Sequence, residues 1–272
     1  MARQRLGQHF LSDARWREQI VRAIKVSRDS MPRHAIGAVR EHCWIEIGAG
    51  HGEMTEYLAA TGAPVYAVEL DPPLIARLRA LSAAKFPNLT VVAGDVLETD
   101  LAAIAAGRRI KLYGNLPYYI TSPILHRLFA GAALIDEIHI VIQAQVALRL
   151  VARPGTRDYG YLSVLTQYYS RPVIALKLPP GAFRPPPEVE SALVCMKLPG
   201  EGAQLGIADS QQFLEFVKVC FAQKRKTLVN NLRGLAIPGA VKDALAAMKL
   251  GAAARAEELS VAELAGLYGK LG

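Results

Sequence analysis

Cysteine is nearly absent from this chain of 272 residues. The three present, Cys43, Cys195 and Cys220, are odd in number, far apart and in no metal-ligand spacing. That argues against a disulfide framework and a structural zinc, and leaves buried free thiols. Long apolar runs are missing too, so no segment is expected to span a membrane. The start, MARQRLGQHFLSDARW, has the positive charge of a secretion signal, but Gln8, His9 and Asp13 break the apolar stretch that should follow; a cytoplasmic protein is expected. Internal repeats and low-complexity tracts are also lacking.

What is present is ordinary globular usage, 51% hydrophobic and 21% charged, with a formal net charge of +8. The excess of Lys and Arg favours polyanionic partners, because contacts to phosphate release condensed counterions. By itself the charge does not single out nucleic acid.

From Cys43 onward, short apolar runs alternate with helical patterns: CWIEIGAG, PVYAVEL, LTVVAGD, RIKLYGN and EIHIVIQ each close on a turn or helix. Such alternation predicts a parallel sheet wrapped by helices. The runs RPVIALKL and SALVCMKL, separated by FRPPPEVE, are close enough to end the sheet in an antiparallel hairpin. PGEGAQLG, over residues 199–206, has the content of a linker, and the rest reads as helical. The expected architecture is therefore a Rossmann-like domain over 1–204, with its N-terminal arm, and a small all-α domain over 205–272. Ser210 is expected to cap the first C-terminal helix and KRKTLVNNLRG to form the second.

The chemistry concentrates at strand ends. Gly48, Gly50 and Gly52 form a G-x-G-x-G loop between a strand and a helix, where backbone N–H groups can face a ligand. The spacing differs from that of dinucleotide binders and suits a cofactor without a phosphate. Glu69, about 20 residues on, is placed to accept from ribose hydroxyls, whereas Asp71, before Pro72 and Pro73, reads as a helix cap. Asp95 closes the third strand, where it could hold an adenine amino group. Asn115-Leu116-Pro117-Tyr118 ends the fourth. The amino group of adenine is a poor nucleophile because its lone pair is delocalised, so a site that alkylates it needs acceptors for both N–H bonds. The Asn115 side chain and the Leu116 carbonyl can serve, held rigid by Pro117, with Tyr118 as a stacking face.

These motifs, together with Gly7 to Leu11, VELD, GDVLE, GNLPYYITSPIL, YGYLSVLTQYY, the segment from Phe183 to Pro187 and FAQKRKTLVNNL, resemble the ribosomal RNA adenine N6-dimethyltransferases, and among these the bacterial small-subunit (16S) enzymes. The resemblance implies S-adenosylmethionine as cofactor. It also implies that His9 and Leu11 close over the cofactor, that Gly48, Gly50 and Glu69 hold its amino-acid and ribose ends, and that Asp95 binds its adenine. Asn115 would touch both cofactor and target, and Tyr118 with Phe183 would sandwich the target base. Lys224, Arg225, Lys226 and Arg233 would contact RNA of the small ribosomal subunit, the enzyme acting as a monomer without a metal. Two positions depart from the family's habit: His9 where Asn is common, and Ala49 where Pro is common.

Two other readings stand beside this one. An assembly factor that kept the fold but lost catalysis conflicts with the intact tetrapeptide and glycines. A nicotinamide-dependent dehydrogenase fits the fold, but neither the glycine spacing nor the tetrapeptide.

Overall fold

A computed structural model describes residues 9–25 and 42–271. Gly7 and Gln8 of the arm lie outside the described residues. Among the described residues nine strands run in chain order: β1 (Phe10–Leu11), β2 (His42–Ile47), β3 (Val65–Glu69), β4 (Leu89–Ala93), β5 (Arg109–Asn115), β6 (Ile135–Gln143), β7 (Arg171–Leu178), β8 (Phe183–Arg184) and β9 (Ser191–Lys197). The helices are α1 (Ala14–Ala23), α2 (Glu53–Ala59), α3 (Pro72–Lys85), α4 (Leu101–Ala105), α5 (Thr121–Ala130), α6 (Ala144–Val151), α7 (Tyr161–Tyr169), α8 (Ser210–Cys220), α9 (Leu228–Asn231), α10 (Pro238–Ala247) and α11 (Val261–Leu271).

Seven strands form one sheet in the order β4-β3-β2-β5-β6-β9-β7. β4 to β6 pair in parallel around β2, and β9 joins β6 antiparallel. This is the expected Rossmann-like sheet, with β9 inserted between β6 and the edge strand β7. β2 and β5 are central, and most of their residues are buried on both faces of the sheet. The order reverses at β2, whose neighbours β3 and β5 are reached in opposite directions, so the carboxyl ends of these three strands make the crevice in which open α/β sheets hold ligands.

The chain divides into two compact units. One holds the described residues up to Ala147 together with Val173–Leu198; the other holds Leu148–Pro172 and Pro199 onward. The expected division at 204/205 is thus displaced, and residues 148–172 change sides. PGEGAQLG is a packing element here. A Cβ on Gly200 would collide with the backbone of Gln167 and Ser170, and one on Gly202 with the Tyr168 ring. The glycines let the segment lie directly on α7 and its end.

Other expectations on the C-terminal side also change. Asp209 caps α8, its Oδ1 accepting from Gln211 N at 2.9 Å and Gln212 N at 3.0 Å, and Ser210 is the first helical residue. Helix in KRKTLVNNLRG is confined to Leu228–Asn231, so the basic run sits on a turn. Among the described residues no helix is long and apolar enough to cross a membrane.

Candidate active site

β2 passes into α2 through Gly48, Gly50 and Gly52, with φ of 65°, 60° and 92°. Those angles favour glycine whatever approaches. At Gly50 space is limiting as well, since a Cβ would stand 3.1 Å from the Phe10 ring. Phe10 meets His51 edge-on at 4.4 Å. The arm therefore lies against the glycine loop, fixed there by β1, which pairs Phe10 with Arg184 and Leu11 with Phe183 of β8.

Glu69 is buried at the end of β3 and fastens the loop. Its Oε2 accepts from Gly50 N at 2.9 Å, and its Oε1 from Leu70 N at 2.8 Å and Asp71 N at 3.0 Å. Asp71 holds the N-cap position of α3, as expected, without a capping side-chain bond.

Asn115 ends β5. Its Nδ2 donates to the carbonyl of His9 at 2.8 Å, which joins the tetrapeptide to the arm and leaves Oδ1 as an acceptor. Leu116 N donates to Val141 at 3.0 Å, and the Tyr118 hydroxyl shares a 2.7 Å hydrogen bond with Ser191. Burial raises the Tyr118 pKa, so this phenol stays protonated. His9, Phe10, Gly48, Gly50, Glu69 and residues 115–118 line one cleft of about 470 Å³, measured out to the solvent at its mouth.

Beneath the loop lies a buried carboxyl. Burial pushes Glu46 up to about 8, against the effect of the Thr55 hydroxyl it accepts, while Glu53 and Glu69 add repulsion. Its ordinary value is 4.5. Between these values the folded chain keeps a proton that the unfolded chain has lost. The stability Glu46 contributes is therefore whole below about 4.5 and is lost as pH rises through about 8. Glu46→Gln, which cannot ionise, is expected to melt with the wild type near pH 5 and about 4 °C or more above it near pH 9. Thermal melts at both pH values check this; parallel melts would mean that Glu46 is ionised in the folded protein.

Not every expected residue reaches the cleft. Leu11 and Phe183 are buried in the apolar core, at 5% and 2% exposure, and neither lines it. In the two-residue strand β1 successive side chains point to opposite faces, so Phe10 takes the cleft side and Leu11 the core side. Phe183, which pairs across from Leu11, belongs to the same buried cluster as Leu178, Ala182 and Leu193. Asp95 stands at the same sheet edge, one strand beyond Glu69, outside the cleft lining; its Oδ1 accepts from Leu97 N at 2.9 Å. Phe10 and Ser191 were missed. The only sequence signal for Phe10 was its place between His9 and Leu11.

In the second unit Arg225, Lys226 and Arg233 are exposed. Lys224 is engaged: its Nζ donates to the Arg157 carbonyl and lies 3.6 Å from Glu257. Asn231 braces the turn internally, donating to Cys220 O at 2.7 Å and Gln223 O at 3.2 Å.

The family model for ribosomal RNA adenine dimethylase matches residues 1–271. The chain belongs to that family. It is accordingly an rRNA adenine dimethyltransferase that draws methyl groups from S-adenosylmethionine. It is 42% identical to the ribosomal RNA small subunit methyltransferase A of Acidobacterium capsulatum over 97% of this chain and 89% of that protein, and 38% identical to the one of Koribacter versatilis over 98% and 93%. The fold is shared with a dimethyladenosine transferase from Plasmodium falciparum (TM-score 0.78, 21% identity, 95% of this chain and 96% of that one). It is shared too with the 23S rRNA methyltransferase ErmE (TM-score 0.69, 24% identity, 96% and 99%).

Proposed function

We propose that this dimethyltransferase acts in the cytoplasm, as a monomer, on two adjacent adenosines in the 3′-terminal hairpin loop of 16S RNA, within a partly assembled small subunit. The choice of subunit is supported by the relatives named for small-subunit RNA, at 38–42% identity over nearly their whole length. Adenines in a hairpin loop are already unstacked, so a base can be drawn into a cleft at little cost.

The observation that carries the chemistry is the anchoring of Asn115 by its own amide nitrogen, which leaves Oδ1 to accept. The bound cofactor supplies an electrophilic methyl on a sulfonium. Asn115 Oδ1 and the Leu116 carbonyl accept the two N6–H bonds and favour a pyramidal nitrogen whose lone pair can attack. As the N–C bond forms, the bond from the methyl to sulfur breaks and its electron pair leaves with the sulfur as a neutral thioether; the nitrogen becomes positive beside these acceptors, and its proton then passes to solvent. No general base of matched pKa is needed, and the backbone around Pro117 holds the geometry.

The glycine loop and Glu69 fit the cofactor's amino-acid and ribose ends. Three backbone N–H groups occupy three of the four acceptor positions of the Glu69 carboxylate, leaving one for a ribose hydroxyl. Asp95, from the next strand out, would meet the adenine through Oδ2. Glu69→Ala is expected to weaken S-adenosylmethionine binding by ~1.5–3 kcal/mol in calorimetry; unchanged affinity would remove Glu69 from the site.

Label transfer from methyl-labelled cofactor, followed by mass mapping of the RNA, tests the whole reading. Small subunits lacking the modification should gain methyls on two neighbouring adenines. Methylation of naked large-subunit RNA alone would overturn the assignment, and no transfer to any RNA would favour a fold that has lost catalysis.

A further inference from the structure

Tyr119 follows the tetrapeptide directly and is 65% exposed. No other Phe, Tyr or Trp among the described residues is exposed. Its hydroxyl has no hydrogen bond and its ring no aromatic contact among them. A single exposed ring elsewhere on a surface calls for no ligand. This one, however, is next in the chain to Tyr118, which lines the cleft.

The local backbone turns the two rings apart. Tyr118–Ile120 form one turn of 3-10 helix after Pro117. At three residues per turn, successive side chains diverge by about 120°. Tyr118 accordingly faces inward, its hydroxyl 2.7 Å from Ser191, and Tyr119 faces solvent. Ile120 N closes the turn on Pro117 O at 3.2 Å, and the chain runs straight into α5, whose Thr121, Ile124 and Leu125 are buried. Tyr119 is thus an open ring on a fixed base, with only its side-chain torsions left to order, and a tyrosine has few of these.

An RNA strand that gives up one base to the cleft leaves the next base without its stacking partner, and an exposed phenol offers that base a new face. The step between consecutive Cα atoms is ~3.8 Å, comparable to the ~3.4 Å step between bases on one strand. A ring one residue from Tyr118 is therefore about one nucleotide from the base that Tyr118 holds. We propose that Tyr119 stacks on the nucleotide adjacent to the target adenine. With two adjacent adenosines as substrate that neighbour is the second adenine, which Tyr119 holds while the first is methylated. The inference rests on the two-adenosine reading above.

Two variants separate the ring from its apolar bulk. Tyr119→Phe keeps the ring, and Tyr119→Leu keeps the bulk without it. With unmethylated small subunits, Tyr119→Leu is expected to raise KM about tenfold, in line with stacking on one base, while Tyr119→Phe stays within about threefold of wild type. S-adenosylmethionine affinity, by calorimetry, should be the same in all three proteins. Equal KM in all three would overturn the proposal, and so would a loss of cofactor affinity matching the rise in KM, which would make Tyr119 a support of the cleft. Fluorescence registers the stacking without methyl transfer, in two short single-stranded RNAs that carry 2-aminopurine on the 5′ or the 3′ side of one adenine. Wild type and Tyr119→Phe should quench the 2-aminopurine in one of them, and Tyr119→Leu in neither. Quenching alike by all three proteins, or by none, refutes the stacking role. If these RNAs behave as expected while mass mapping finds single, isolated adenines as the methylated sites, the two-adenosine target falls and the stacking stands.

Discussion

Asn115→Ala is expected to lower kcat by ~10²–10³-fold, the size of effect found when an acceptor or donor matched to developing charge is removed. The substitution also frees the His9 carbonyl, so the arm loses one attachment to the tetrapeptide. Cofactor affinity should therefore fall somewhat, by about tenfold at most, and the fold should remain, because β5 is held on both sides by β2 and β6. Single-turnover methylation against calorimetry of S-adenosylmethionine checks the division between the two effects. An Asn115→Ala enzyme with near-normal kcat would remove the carboxamide from the chemistry and leave it as an anchor for the arm.

The second large effect is expected from the second unit. Arg225, Lys226 and Arg233 are exposed, and reversing all three to Glu should weaken association with small subunits by roughly 10²-fold and flatten its salt dependence, since each lost phosphate contact removes about one unit of slope. Cofactor binding should not change. Lys224 is left out of this variant because its ammonium already serves the Arg157 carbonyl and Glu257, and reversing it would disturb the turn itself. Truncation after Leu205 would be a poorer experiment: α7 buries Val164, Leu165 and Tyr168 in the same unit as α8 and α11, and these would be left uncovered. An unaltered salt slope in the triple variant would place the RNA-binding surface elsewhere.

The parts of the site carried by strand ends were legible in the sequence. The apolar period shows where β2, β3 and β5 stop, so Gly48, Glu69 and Asn115 fall at one edge of a parallel sheet by topology alone. What could not be read depends on pairing between distant segments. The side of the arm on which Leu11 and Phe183 lie is decided by the β1–β8 pairing, whose partners have no local signal for each other. From its residues alone FRPPPEVE reads as a proline turn with Phe183 as an apolar plug beneath it, and it is the family resemblance that makes Phe183 a stacking face. Glycine misled in another way. Residues 199–206 have a linker's composition, yet Gly200 and Gly202 are there for close approach to α7, a use that composition does not distinguish from flexibility. The Lys-Arg-Lys start of KRKTLVNNLRG has helical propensity, but Asn231 braces it as a turn from the inside, and tertiary bonding outweighs propensity.

The two-stranded pairing of β1 with β8 also has a bearing on synthesis. His9 leaves the ribosome 176 residues ahead of Pro185, whose carbonyl its ring nitrogen meets. The glycine loop, Glu69 and Asn115 can be in place once β2 to β6 have emerged, since domains fold as their segments become available. The wall contributed by the arm has to wait for β8. A nascent chain halted before residue 183 would thus hold the glycine loop, Glu69 and Asn115 without the strand pairing that fixes the arm beside them.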